Sequence, residues 1–192
     1  MSQYYYAVAA LPMLFLDSDV FPAQQEFLEH CAAWLSDADF QALSQASLHP
    51  SFTHSGRSSV LGRWYAVEKA LRNELVRARA PKLHIDEQKY LSDDEPPTWI
   101  SSSDIEAKAS EAINQANPLR AEQLLDEYRW HILDELEVGH YFDVDKLIVY
   151  YLKLQMLLRK TAMEPESGKS LFDDTYNTII DRYYRSDQEV ET

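Results

Sequence analysis

Glycine is scarce in this chain: 4 Gly stand against 8 Pro in 192 residues. Sheet-rich folds with tight turns, Rossmann-type loops and Gly-cradled phosphate sites all draw on glycine at positive φ, so helices are the expected solution. Cysteine is scarcer still. The single Cys31 excludes an internal disulfide and fits a reducing compartment. Cations are also short, with 18 Lys+Arg facing 32 Asp+Glu for a formal net charge of −14. Neutralising duplex phosphates takes the opposite sign, so nucleic acid is not an expected partner, and an anionic membrane surface repels most of the chain. Long apolar runs are missing as well. The one near the start, residues 4–16, is interrupted by Pro12 and is shorter than the ~20 residues a spanning helix needs. It has neither a basic leader nor a small-residue cleavage site, so a cytoplasmic chain without direct membrane insertion is expected.

What is present reads as an ordinary globular core, with 45% hydrophobic and 26% charged residues. Tyr4 to Leu11 is apolar without a clear period and fits a buried strand or a short helix. Over residues 22–35, Phe27, Leu28, Cys31, Trp34 and Leu35 recur at helical spacing and predict one buried face. Ser36, with Asp39 three residues on, starts a second helix that buries Phe40 and Leu43 and is expected to end at His49-Pro50. Residues 58–79 carry the stripe Val60, Trp64, Val67, Leu71, Leu75, and Pro81 is expected to stop it.

Residues 82–100 hold Asp93-Asp94-Glu95-Pro96-Pro97 and read as a connector without helix. Beyond it, residues 103–115 predict a peripheral helix with few large apolar side chains. Asn117-Pro118 is a helix start, Asn as N-cap and Pro where its missing N–H costs nothing, and Gly139 is the matching left-handed stop. Asp143 or Asp145 caps the next helix, whose residues 147–158 are apolar nearly all round and mark it as central. A last helix is expected over residues 171–184. The fold class is therefore all-α, a bundle of about six to seven helices. It divides into an N-terminal helical part (1–81), the connector (82–100) and a C-terminal helical part (101–192), which can pack as one domain.

Chemistry-bearing patterns are few. Gly168-Lys169-Ser170 resembles the end of a P-loop, but the glycine that motif needs five residues earlier is Met163, and a helix rather than a strand precedes it. Glu127, His131 and Glu135 share a helix face that could present metal ligands, yet a dinuclear carboxylate site uses Glu-x-x-His twice. His140 sits in a short turn as a helix-end hydrogen-bonding group. Cys31 lies on an apolar stripe, and His30 beside it points a quarter turn away. No catalytic residue, metal or cofactor is assigned on this basis.

The basic helix stands out. Over residues 57–82, Arg57, Arg63, Lys69, Arg72, Arg77, Arg79 and Lys82 face only Glu68 and Glu74. Arg63, Lys69, Arg72, Arg77 and Arg79 form a candidate docking face for an acidic partner. The plainer reading is neutralisation by Asp86, Glu87, Asp93, Asp94 and Glu95 downstream, or simple solvation.

Three stretches carry a family resemblance. They are Tyr4-Tyr5-Tyr6 through Leu11-Pro12, Arg63-Trp64-Tyr65 to Leu71-Arg72-Asn73-Glu74-Leu75, and Asp126-Glu127-Tyr128-Arg129-Trp130 through His140-Tyr141-Phe142-Asp143 to Gln155. Together they resemble a small bacterial family of unassigned activity whose genes accompany those of V-type (A-type) ATPases. That family in turn resembles the rotor adaptor of these ATPases, the helical funnel joining the central rotor stalk to the membrane c-ring. This chain is shorter than the rotor adaptor and corresponds to a part of the funnel. The resemblance implies a non-catalytic component or assembly and coupling factor whose partners are stalk or c-ring proteins. It would be peripheral at the inner membrane through the complex, and the basic helix and tyrosines would be its contacts. The 12 Tyr, 7 Phe and 4 Trp suit such a role, since interfaces favour aromatics and Arg at their centres. The alternatives are a stand-alone helical adaptor with an unrelated partner and, on the Glu127/His131/Glu135 face, a metal-dependent helical enzyme.

Overall fold

In the computed structural model, residues 4–49, 58–92 and 97–163 are described. Among them are seven α-helices, one short 3-10 turn and no strand, so the chain is an all-α bundle. The helices are α1 (Tyr5–Ala9), α2 (Gln24–Ala32), α3 (Asp37–Ser44), α4 (Ser59–Leu83), α5 (Ser102–Ile113), α6 (Pro118–Glu137) and α7 (Val144–Ala162). By their contacts the residues fall into two units, Met1–Met156 and Leu157–Thr192. Of the second, the described part is the end of α7, where Thr161 Oγ1 donates to the Leu157 carbonyl. The helix expected over residues 171–184, the Gly168-Lys169-Ser170 segment and Asp93-Asp94-Glu95 lie outside the described residues.

Several helix ends follow from their caps. Ser36 Oγ accepts from Asp39 N–H at the start of α3, and Asn117 Oδ1 accepts from Leu119 N–H ahead of Pro118. Ser58 Oγ accepts from Leu61 N–H and donates to Asp145 Oδ1 at 2.5 Å, so one hydroxyl starts α4 and ties it to α7. Asp143 caps α7 through Lys146 N–H. Gly139 follows α6 with φ +89°, where an L side chain would be strained.

Other boundaries differ from the sequence reading. Of the two readings open for the first segment, strand or short helix, Tyr5–Ala9 is the helix. α3 ends at Ser44, short of Pro50, and the next residues leave the helix to pack on α7. There Gln155 accepts from Leu48 N–H and donates to the Ala46 carbonyl. α4 continues through Pro81 to Leu83. The proline removes one hydrogen bond in the final turn, but His84 at φ 53° closes the helix by donating to the Ala80 carbonyl. Lys82 Nζ adds hydrogen bonds to the Ile113 carbonyl and Asn114 Oδ1.

The core forms where α4 and α7 bury their stripes. Val60, Trp64, Val67, Leu71 and Leu75 are all buried as their spacing requires, as is α7 from Leu147 to Leu154. α5 is not peripheral. It packs on both α4 and α6, and the face it buries is Ile105, Ala109 and Ala112. Small residues let helix backbones approach closely, which is why side-chain size along this segment misleads.

Candidate functional site

Two surfaces emerge, and a buried charge cluster lies behind one of them. That cluster is Glu68 on α4 with Arg129, Asp126 and Glu122 on α6. Arg129 Nε meets Glu68 Oε1 at 2.5 Å, and its Nη1 meets Asp126 Oδ1 at 3.1 Å and Glu122 Oε1 at 3.2 Å. Glu68 is 1% and Arg129 9% exposed. Burial alone would lower the Arg129 pKa, but the charges of Glu68, Asp126 and Glu122 and the Glu68 hydrogen bond hold it above its ordinary value. Sequence reasoning misses this cluster, because Glu68, one of two Glu among seven cations, reads as surface charge.

The outer side of α4 carries the predicted docking residues. Arg63 lies over the Trp99 ring at 4.2 Å, Arg72 reaches Glu68 Oε2 at 3.5 Å and His49 Nδ1 at 2.8 Å, and Arg77 pairs with Glu74. Lys69 is half-buried beside them and Arg79 is exposed. These partners are local; of the downstream acids expected from sequence, Asp93, Asp94 and Glu95 lie outside the described residues. Arg72 and Arg77 nonetheless keep 42% and 49% of their side-chain surface in solvent.

The second surface surrounds α1. Tyr4 fixes it: its hydroxyl donates to Asp39 and accepts from Ser36 N–H, while its backbone N–H donates to the Phe142 carbonyl at 2.5 Å. His30 Nε2 donates to the Ala7 carbonyl at 3.0 Å. Held this way, α1 turns Tyr5 and Tyr6 outward at 54% and 68% exposure. Tyr5 packs on Phe142 with ring centroids 4.8 Å apart, and Tyr6 stacks on Trp34 at 5.5 Å. Helical spacing puts Trp34 on the buried stripe of α2, and the structure does not. It falls outside because α2 ends at Ala32, so the helical phase no longer applies.

Beside this aromatic face is a groove of about 710 Å³. Residues 11–15 form one wall, the α6–α7 turn another, and Trp130, Tyr150 and Lys153 line it more deeply. Lys153 sits over the Trp130 ring at 5.5 Å and reaches Glu137 Oε2 at 2.5 Å and Asp134 Oδ1 at 2.7 Å. Lys146 also donates to Glu137. Burial would raise the Glu137 pKa, but the hydrogen bonds and charges of the two lysines outweigh it and hold it below its ordinary 4.5.

A lowered folded-state pKa means this carboxylate stabilises the protein above its unfolded value. That contribution disappears as pH falls through the lowered folded value. Urea titrations of the wild type and Glu137→Gln should therefore differ at about pH 7 and differ less at an acidic pH below the ordinary carboxylate range. Parallel curves at both pH values would mean the lysines do not stabilise the charged form.

The remaining candidates are placed apart. Cys31 is fully buried, and burial pushes its thiol up to about 12, which suits a small apolar filler. His131 is 68% exposed and 3.4 Å from Glu135, while Glu127 turns to Arg120 at 3.3 Å. Among the described residues, no three His, Cys, Asp or Glu are grouped to hold a metal ion. Nor is any described helix long and apolar enough to cross a membrane. His140 Nδ1 meets Asp143 Oδ2 at 2.7 Å in the α6–α7 turn.

Residues 107–184 match the model of a family described as a protein of unknown function, DUF2764. No curated protein and no solved structure matches the chain.

Proposed function

We propose that this chain is a non-catalytic component or assembly factor of a V-type (A-type) rotary ATPase, a helical adaptor akin to part of the rotor funnel. The observation that carries the adaptor reading is the aromatic face of Tyr5, Tyr6, Trp34 and Phe142. Four large rings pack on one another yet are 40–68% exposed, and two of them, Tyr5 and Tyr6, sit on a segment held by Tyr4 at both its backbone and its hydroxyl. A rigid apolar patch is the form of a docking surface, since its order is established before the partner arrives. The ATPase assignment rests on the family resemblance of the Asp126 to Gln155 block. Arg63, Lys69, Arg72, Arg77 and Arg79 would supply a second, basic contact for an acidic partner protein.

The test is affinity purification of the tagged protein from its own cells in mild detergent, followed by mass spectrometry. Recovery of catalytic, stalk and c-ring proteins is the expected result. Recovery of none, with the ATPase intact in the same lysate, would leave a stand-alone adaptor as the reading. Within a recovered complex, Arg72→Glu with Arg77→Glu should weaken capture at least about tenfold. The same change should weaken capture more than it destabilises the monomer, although Arg72 also reaches the buried Glu68. Equal loss of capture and thermal stability would count against the basic contact.

A further inference from the structure

The charged side chains of the groove beside α1 are matched within the protein, while the buried Tyr150 hydroxyl that also lines it has no hydrogen-bond partner among the described residues. Lys146 and Lys153 both donate to Glu137, and His140 is engaged by Asp143. A small polar ligand is oriented by a few convergent polar groups left open to it. Here the charged groups close on one another, which leaves the single deep Tyr150 hydroxyl and no convergent set. What remains open is apolar: Met13, Phe15, Val138 and Tyr141 are 77%, 56%, 79% and 71% exposed around the groove.

The rim is acidic. Phe15 N–H donates to Ser18 Oγ at 2.9 Å and Ser18 N–H to the Phe15 carbonyl at 3.0 Å, a turn that carries the exposed Asp17 and Asp19 directly after the wall. Asp134 lines the groove with 53% of its side chain in solvent. We propose that this groove docks an amphipathic helix of a partner protein, its apolar stripe entering between Met13 and Val138, and its flanking Lys or Arg residues lying along Asp17, Asp19 and Asp134. The proposal deepens the adaptor reading and rests on it, because it gives a partner chemistry to the surface continuous with the aromatic face through Tyr141 and Phe142. A helix suits better than an added strand, since no described strand offers an edge. The charge of −14 gives the same sign preference at long range and would steer a basic segment inward.

The experiment uses the full chain and labelled synthetic helical peptides with Leu at positions i, i+3, i+4 and i+7. One peptide has Lys flanks and the other Glu flanks, and binding is read by fluorescence anisotropy. The Lys-flanked peptide should saturate, and the Glu-flanked one should bind at least about tenfold more weakly. Met13→Glu and Val138→Glu should each weaken the Lys-flanked peptide about tenfold or more, with Ser103→Ala, exposed on α5 and outside the groove, leaving it unchanged. Asp17→Asn with Asp19→Asn alters charge without bulk, and should weaken the Lys-flanked peptide even if the groove variants misfold. Absence of saturable binding, equal binding of both peptides, or indifference to these groove and rim changes would overturn the proposal. Any of these with ATPase proteins still recovered by the wild type would remove the groove alone. Loss of that recovery with peptide binding intact would instead remove the ATPase reading.

Discussion

Glu68→Ala is expected to lower the unfolding free energy by about 3–5 kcal/mol, the range for stranding one partner of a buried ion pair. For a chain of this size that is a fall in Tm of roughly 6–20 °C. The size follows from burial. Glu68 is 1% exposed and bridges α4 to α6 through Arg129, so its removal leaves a guanidinium in low dielectric with Asp126 and the more exposed Glu122 as remaining partners. Arg129→Ala should cost a similar amount, because it leaves Glu68 buried beside only the more distant Arg72. The double variant should cost clearly less than the two singles together, since the second change removes the charge that the first stranded. Chemical denaturation of the four proteins measures this coupling. Single variants within about 0.5 kcal/mol of wild type would place the cluster in solvent.

Phe27→Ala is expected to cost about 3–5 kcal/mol, and Trp34→Ala almost nothing. The two aromatics lie seven residues apart, two helical turns, and the sequence alone puts them on one buried stripe. The structure separates them. Phe27 is 1% exposed and stacks on Tyr150 and Tyr151 of α7, with ring centroids 5.2 Å and 5.4 Å away, so truncating it opens a cavity between α2 and α7. It also removes the support behind Tyr150, a wall of the groove. Trp34 is 51% exposed and gives up only its contact with Tyr6. Thermal melts of the two variants should therefore differ widely. Equal destabilisation would mean that Trp34 is part of the core.

The contrast between these residues shows what a single sequence reveals and where it stops. Long periodic stripes place α4, α6 and α7, and local cap chemistry places the starts at Ser36 and Asn117, because both signals are written in neighbouring residues. Trp34 escapes because the stop of α2 at Ala32 has no Gly or Pro to announce it. α5 is undervalued because Ala109 and Ala112 bury little area themselves while allowing close approach to α4 and α6. The Glu68–Arg129 pair is invisible for another reason: its partners are 61 residues apart, and only tertiary packing turns two ordinary charges into a buried bridge. The basic helix is legible as a pattern, but not the local partners Glu68, Glu74 and Trp99. The groove is the least legible feature. Its walls come from residues 11–15 and from α6 and α7, segments whose nearness depends on Tyr4 bonding to Asp39 and to the Phe142 backbone.

In the proposed adaptor role, the preordered aromatic face holds this chain to a rotary ATPase. The most direct test is a paired capture from the native cells, comparing the tagged wild type with Tyr6→Asp/Trp34→Asp by quantitative mass spectrometry. Both residues are more than half exposed, so the variant should keep a melt close to that of the wild type. The wild type should bring down stalk or c-ring proteins, and the variant should lose at least about nine-tenths of them, as for central aromatic contacts at interfaces. Undiminished recovery by a folded variant, or no ATPase protein with the wild type, would contradict that role.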